Sequence, residues 1–331
     1  LGTNTIDGLE INTTATSNLG LGTGAVDAIT TGDYNVGVGD NALSATTSGH
    51  RNSAFGYQAM VDNTTGYYNS AIGYQSLANN ITGIENTAVG WSSLLTNVSG
   101  GNNTAVGSVA LYSNTGSSNT AIGMRCMADN TTGNNNTSVG SYALNKNTTG
   151  ANNTATGFRA LYNNTTASYN TATGYYALNQ NTTGTQNTAT GYYSLYSNTT
   201  GTQNVALGKD SMKATTTGSY NTATGMEVMF TNTTGEGNTA YSRRALYSNT
   251  TGSRNVALGY SSLYNNTTAY ENTAVGYHSL YSNTTGNKNT ALGMYAGDNI
   301  TTGSSNIIIG AEVNAPSATA SNQLNIGNWI T

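Results

Sequence analysis

Hydrophobic positions along the chain recur neither every second residue nor on a helical period, but in a block that returns every seventeen residues. Aligned on the Asn of an N-T-A-x-G element, the sequence carries eighteen copies, from Asn18 to Asn306. Every spacing is seventeen except Asn103 to Asn119, which is sixteen because the turn Asn114-Thr115-Gly116 has lost a Thr. Numbered from that Asn, the consensus reads N-T-A-x-G-x-x-(A/S)-L-x-x-N-T-T-G-x-x, and its positions are called places 1 to 17 below. Place 9 is Leu or Met in fifteen successive copies, Leu43 to Leu280, and place 4 is mostly apolar, as in Val38, Phe55, Ile72 and Ile122. These two columns predict the core. Places 3 and 8 are held to Ala, Ser or Gly in nearly every copy, which predicts flat strips on which another chain lies closely.

Two short apolar runs separated by Gly corners, on a period far shorter than the roughly 33 to 45 residues a helical repeat needs, predict one β-solenoid coil per repeat. The fold class expected is therefore all-β: a parallel β-solenoid, or β-roll, of about 18 coils with a 17-residue repeat, assembled as a parallel homotrimeric fibre. At ~4.8 Å per coil, the eighteen coils would make a rod roughly 85 Å long. The expected organisation is an irregular lead-in over 1–17, repeats over 18–305, and a coil with a capping or junction segment over 306–331. Place 5, Gly in seventeen copies with Ser242 the exception, reads as a corner of positive φ or close backbone approach. Place 15, Gly with Ala167 and Ala269 as departures, reads with the preceding Asn-Thr-Thr as a turn. The Asn columns at places 1 and 12 predict stacked amide ladders.

Composition narrows the function. Charged residues make up 7% of the chain and the formal net charge is -4, so no basic stripe exists to displace counterions and nucleic acid is disfavoured as a partner. No apolar run reaches membrane-spanning length, so membrane insertion is not expected. The single Cys126 sits at place 8 and reads as a small buried hydrophobe. The chain opens without Met and reads as a processed or truncated piece, so a missing export signal carries no weight. His50 and His278 lie far apart with no repeated acidic or thiol partner, and the Asp residues do not recur in register. No catalytic residue, metal site or cofactor is therefore expected, and the chain reads as a non-enzyme.

The informative excess is aromatic. The chain has 23 Tyr, concentrated at places 6, 7 and 10, and the candidate binding columns are Trp91, Tyr175, Tyr176, Tyr192, Tyr193, Tyr196, Tyr260, Tyr264, Tyr277 and Tyr281. They can stack on a sugar or a partner protein, or on one another as ladders sealing the coil edge; the second reading is favoured. The turns also spell N-glycan acceptor sequons at Asn63, Asn130, Asn147, Asn181, Asn198, Asn232, Asn249 and Asn283, for which turn chemistry is a sufficient explanation. A T-x-T array at Thr154–Thr156, Thr171–Thr173, Thr188–Thr190 and Thr222–Thr224 resembles that of ice-binding solenoids. Apolar residues fill the same places in most other copies, which predicts that the array is buried.

The half-repeat N-T-A-V-G-x-x-A/S, at Asn86 to Ser93, Asn103 to Ala110 and Asn272 to Ser279, resembles the N-S-V-A-I-G-x-x-S element of trimeric autotransporter adhesin heads, whose own repeat is shorter. That resemblance implies a left-handed parallel β-roll, trimeric, on a bacterial surface. The whole unit resembles repeats of tail-fibre-like proteins of phages and bacteria. In those, the closing motifs, here Asn306 to Gly310 and Ser321 to Asn328, often precede a self-cleaving trimerisation chaperone. The function these readings imply is an extracellular fibre shaft or adhesin, on a virion tail fibre or a bacterial cell surface, binding a cell-surface glycan or protein receptor multivalently. The alternatives are a subunit that polymerises end to end into a filament, with or without glycans, and, more remotely, an ice-binding solenoid.

Overall fold

The computed structural model describes residues 4–6, 9–12 and 17–327. Of the segments expected at 1–17 and 306–331, residues 1–3, 7–8, 13–16 and 328–331 lie outside the described residues. The chain divides into two compact units, Leu1–Ser168 and Tyr169–Thr331. The first holds strands β1 to β11 and the second β12 to β21, with no helix longer than a single turn among the described residues.

From β3 (Leu19–Leu21) to β11 (Thr154–Thr156), each repeat contributes one three-residue strand at places 2 to 4, and each pairs in parallel with the strand one coil on. The register is invariant: Thr87 faces Thr104, Ala88 faces Ala105 and Val89 faces Val106. The second unit repeats this from β12 (Thr171–Thr173) to β21 (Leu324–Ile326). Each unit is thus a parallel β-solenoid, as the repeat predicts. At the start of the first unit the pattern differs. β1 (Asn4–Ile6) pairs antiparallel with β2 (Leu9–Asn12), and β2 pairs antiparallel with β3, so a hairpin covers that sheet edge.

The strand faces the other way from the expectation. Ala71 at place 3 is 0% exposed and Ile72 at place 4 is 49% exposed. Successive strand residues point to opposite sides, so burying place 3 turns place 4 outward. The coil is too thin to hold both a place-4 Ile and the place-9 Leu. It keeps Leu77 and Ala71 inside, with the place-8 residue (Ala59, Ser76) beside them. Two expectations are corrected together: place 4 is no part of the core, and the small residues at places 3 and 8 line the interior, where they cannot reach another chain.

Nor does the apolar run around place 9 form a second strand. Places 8 and 9 are both fully buried, as in Ala177 and Leu178, which the alternation of a flat strand forbids. The chain resolves this with left-handed residues at places 7 and 9, for instance Gln75 (φ 52) and Leu77 (φ 52), and a third at place 17, Glu85 (φ 56). Each such residue costs about 1 kcal/mol. The ribbon still bonds between coils: Leu77 N–H donates to Ser93 O at 2.8 Å and Asn79 N–H to Leu95 O at 3.1 Å.

The place-5 and place-15 glycines have different reasons. Gly73 has φ +136, and a Cβ on it would lie 2.5 Å from the Gly90 carbonyl of the next coil. Gly66 at place 15 shows no such φ, but a Cβ there would meet the Gly83 carbonyl at 2.5 Å and the Asn63 side chain.

Both predicted amide ladders form, inside the coil. In the place-1 ladder, Asn69 Nδ2 donates to Asn52 Oδ1 at 3.2 Å, and the Asn69 backbone N–H donates to the same oxygen at 3.0 Å. In the place-12 ladder, Asn80 Nδ2 donates to Asn63 Oδ1 at 2.8 Å and to Gly83 O at 3.0 Å. Donors always belong to the later coil. At the end of the second unit, Gln323 occupies place 1 and donates both its backbone N–H and its Nε2 to Asn306 Oδ1. In that region the Leu column stops at Gly297, and Ile300 and Ile308, both fully buried at places 12 and 3, fill the space around it.

Candidate functional site

Because place 6 follows the Gly corner and places 7 and 10 flank the buried Leu, side chains there stand outward at a spacing set by the backbone. Rings in successive coils therefore meet. In the first unit, Tyr57 and Tyr74 stack with centroids 5.4 Å apart and planes 15° from parallel. Trp91, at place 6 of the next coil, is 54% exposed and lines a shallow recess of about 370 Å³ with Tyr112, Arg125 and Asp129.

The second unit carries the longer arrays. Tyr175 stacks on Tyr192 at 5.4 Å, Tyr176 stacks on Tyr193 at 5.2 Å, and Tyr196 packs 4.9 Å from Tyr193. Desolvation, and then the proximity of the other phenols, raises the Tyr193 pKa above its ordinary value. Place 10 then continues as one column. Lys213 lies over Tyr193 (4.9 Å) and Phe230 (5.5 Å), after which Phe230, Tyr247, Tyr264 and Tyr281 stack at 5.3, 5.0 and 5.2 Å. Tyr260 stacks on Tyr277 at 5.4 Å. All ten aromatic residues singled out in the sequence thus stand at the coil surface, and nine of them take part in ring pairs. In the stacked pairs the ring faces are directed at one another across the coil step, and Tyr196 Oη accepts from Gln180 Nε2 at 3.3 Å.

Residues outside the Tyr pattern join the arrays. His278 sits 4.2 Å from Tyr277 and 4.6 Å from Tyr281, both nearly parallel to it, and burial there lowers its pKa. Lys213 pairs with Asp210 at 3.0 Å, and Arg244 pairs with Glu227 at 2.7 Å while lying over Tyr247. The signal that locates Lys213 is its place, since it fills the one gap between Tyr196 and Phe230 in the place-10 column.

The sequons are placed differently from a glycan acceptor. Asn63, Asn130, Asn147, Asn181, Asn198, Asn232, Asn249 and Asn283 are all 0% exposed. Asn147 Nδ2, for example, donates to Asn130 Oδ1 at 2.6 Å and Gly150 O at 2.9 Å. A sugar on that nitrogen would have no space and would remove a ladder bond, so the folded coil offers none of the eight as an acceptor. The T-x-T expectation is corrected in the other direction: Thr154, Thr156, Thr173 and Thr190 are exposed on the strand face.

Cys126 is fully buried, with its Sγ 3.0 Å from Ser138 Oγ, and burial pushes its pKa up to about 11. Among the described residues no group of three or more His, Cys, Asp or Glu could hold a metal ion, and no helix is long and apolar enough to cross a membrane.

The class these features define is a parallel β-solenoid repeat protein with an amide-laddered interior and aromatic ladders on its surface. Among known proteins, no family model matches the chain and no curated protein is significantly similar to it.

Proposed function

We propose that the chain is a non-enzymatic structural shaft and adhesive surface, working outside the cell on a virion tail fibre or a bacterial surface as a parallel homotrimer. One observation carries this reading: the interior columns stay nearly constant from coil to coil, while most of the variation falls at outward places, where Tyr, His, Lys and Arg gather into repeated arrays. Identical weak contacts repeated on one body give avidity. The receptor class that suits exposed ring edges and hydroxyl rows is a cell-surface glycan or a polar protein surface.

End-to-end polymerisation is the weaker alternative, because the antiparallel hairpin of β1 and β2 leaves no parallel edge at the start of the first unit for an incoming coil. A lattice-binding role has one observation in its favour, the outward Thr pairs of β12 and β13. Absence of thermal hysteresis at millimolar protein would dispose of it.

The test is binding of the full chain to whole bacteria and to a glycan panel, beside a variant with Tyr175, Tyr176, Tyr192 and Tyr193 changed to Ser. Avidity through the ladders predicts at least a tenfold loss of apparent affinity, about 1.4 kcal/mol. Unchanged binding by the variant would rule the ladders out as the attachment surface.

A further inference from the structure

The strand face of the first unit is a ribbon that carries no charge: place 4 gives it an apolar column, and place 2, on the same outward side, gives it a parallel column that is Ser or Thr from Ser53 to Thr154. Place 4 carries Val38, Phe55, Ile72, Val89, Val106, Ile122 and Val139 in succession, and Phe55, Ile72 and Ile122 are 41%, 49% and 41% exposed. No strand from β3 to β11 contains a charged residue. One edge of the ribbon is the row of place-5 glycines and the other is the buried place-1 Asn ladder, and the exposed rings Tyr57, Tyr74 and Trp91 at place 6 and Tyr34 and Tyr68 at place 17 stand just beyond them.

We propose that this ribbon is where copies of the chain meet, strand face against strand face. The inference rests on the homo-oligomeric reading above and assigns its contact surface. Three observations select a second copy as the occupant. The first is pitch: the ribbon's ridges recur at ~4.8 Å, and a partner can seat side chains between them along the whole length only if it repeats at the same interval. Another copy of the same coil does. The second is charge: an uncharged face meets its own duplicate without repulsion, whereas it offers a charged partner no complement. The third is area. At about 4.8 Å per coil and about 10 Å per three-residue strand, eight coils make an uncharged strip of roughly 400 Å², about half of it the unbroken apolar place-4 column, which is unlike the singly scattered hydrophobics of an ordinary surface. The strip is about half of one partner's share of a standard interface. A parallel, in-register arrangement puts each apolar place 4 against its equivalent.

The chain itself supplies the mutation. Thr156, Thr173, Thr190 and Thr224 occupy place 4 in folded coils, so I72T and I122T alter the ribbon while keeping a residue the coil accepts. Mass by light scattering and sedimentation across a hundredfold concentration range would be measured for the wild type, for F55T/I72T/I122T, and for Y57A/Y74A outside the ribbon, with circular dichroism confirming folding. The expected result is a wild-type oligomer whose half-association concentration rises at least tenfold in the triple Thr variant and is unchanged in the Tyr variant. In addition, I72C should cross-link to itself in a second copy under mild oxidation, the native Cys126 being buried. An oligomeric wild type whose association survives the triple variant would overturn the ribbon as the contact while leaving the oligomer standing. A wild type of single-chain mass at every concentration would overturn both.

Discussion

An asparagine at place 12 accepts a bond from the coil after it and donates one to the coil before it, so each break in the column exposes one unpaired atom. Among the described residues, three buried Asn oxygens have no hydrogen-bond partner: Asn97 Oδ1, Asn198 Oδ1 and Asn283 Oδ1. Each stands just before an irregularity. Asn97 precedes the sixteen-residue coil, Asn198 precedes Thr215 and Asn283 precedes Ile300. Thr215 still accepts from Asn232 Nδ2 through its hydroxyl at 3.4 Å, but it has no amide to give Asn198. Thr215→Asn should therefore raise stability by about 1–2 kcal/mol, the penalty of one orphaned buried acceptor, measured as a shift in denaturant midpoint at constant slope. Glycine at place 5 makes the converse case. Gly73→Ala meets a backbone carbonyl that cannot move aside and should cost about 3 kcal/mol, whereas Ser242→Gly relieves a serine held at φ 93 and should gain about 1 kcal/mol. Paired urea titrations would show opposite signs. These residues were legible from the sequence because eighteen copies sample one environment, and each departure from the column stands out.

At the scale of the strand and the turn ribbon, the sequence was legible in phase and misleading in direction. The hydrophobicity of Val, Ile and Phe at place 4 suggests burial, yet Ala at place 3 takes the interior because only a methyl group fits beside the place-9 Leu. The exceptions obey the same volume rule: place 3 becomes Ile308 only where the Leu column has ended at Gly297, and Gly20 faces Val26 so closely that a Cβ would collide with it. A helix or strand pattern also gives no hint of left-handed Leu and Met, because that conformation is imposed by stacking on the next coil. Side chains in the outward columns report on their own packing. His278 is held below its ordinary pKa by burial among rings, so the unfolded chain binds protons more readily than the folded one. Stability should fall as pH drops through the unfolded imidazole pKa towards the folded one, and be fully present above it. His278→Tyr, matching Tyr176 and Tyr295 at the same place, should flatten that part of a melting-temperature profile taken from pH 8 to pH 5.

Each unit as a body inherits its energetics from nearest-neighbour coils. Removing residues 187–203, one whole period, brings Asn204 into the slot of Asn187 and leaves every column in phase. The shortened chain should keep the same circular dichroism per residue and melt cooperatively within a few degrees of the parent. Removing only 187–194 puts polar places in the core and should abolish the fold. The sixteen-residue coil is a natural version of this experiment: Asn119 Nδ2 reaches Asn114 Oδ1 at 3.3 Å, and the ladder resumes as Asn130 donates to Asn114. Repeat number and period are thus written openly in the sequence. A partner-facing surface is not, since the small columns expected to form one turn out to be interior.

The direction of the amide ladders bears on how the protein is made. Every acceptor lies on the coil nearer the amino terminus and every donor on the one that follows, behind a starting edge already closed by a hairpin. As synthesis proceeds, each emerging coil finds its acceptors in place on the one just finished, so assembly can keep pace with the ribosome. A nascent chain halted after any complete coil keeps every bond made below it and leaves open only the Asn acceptors and N–H donors of its last coil.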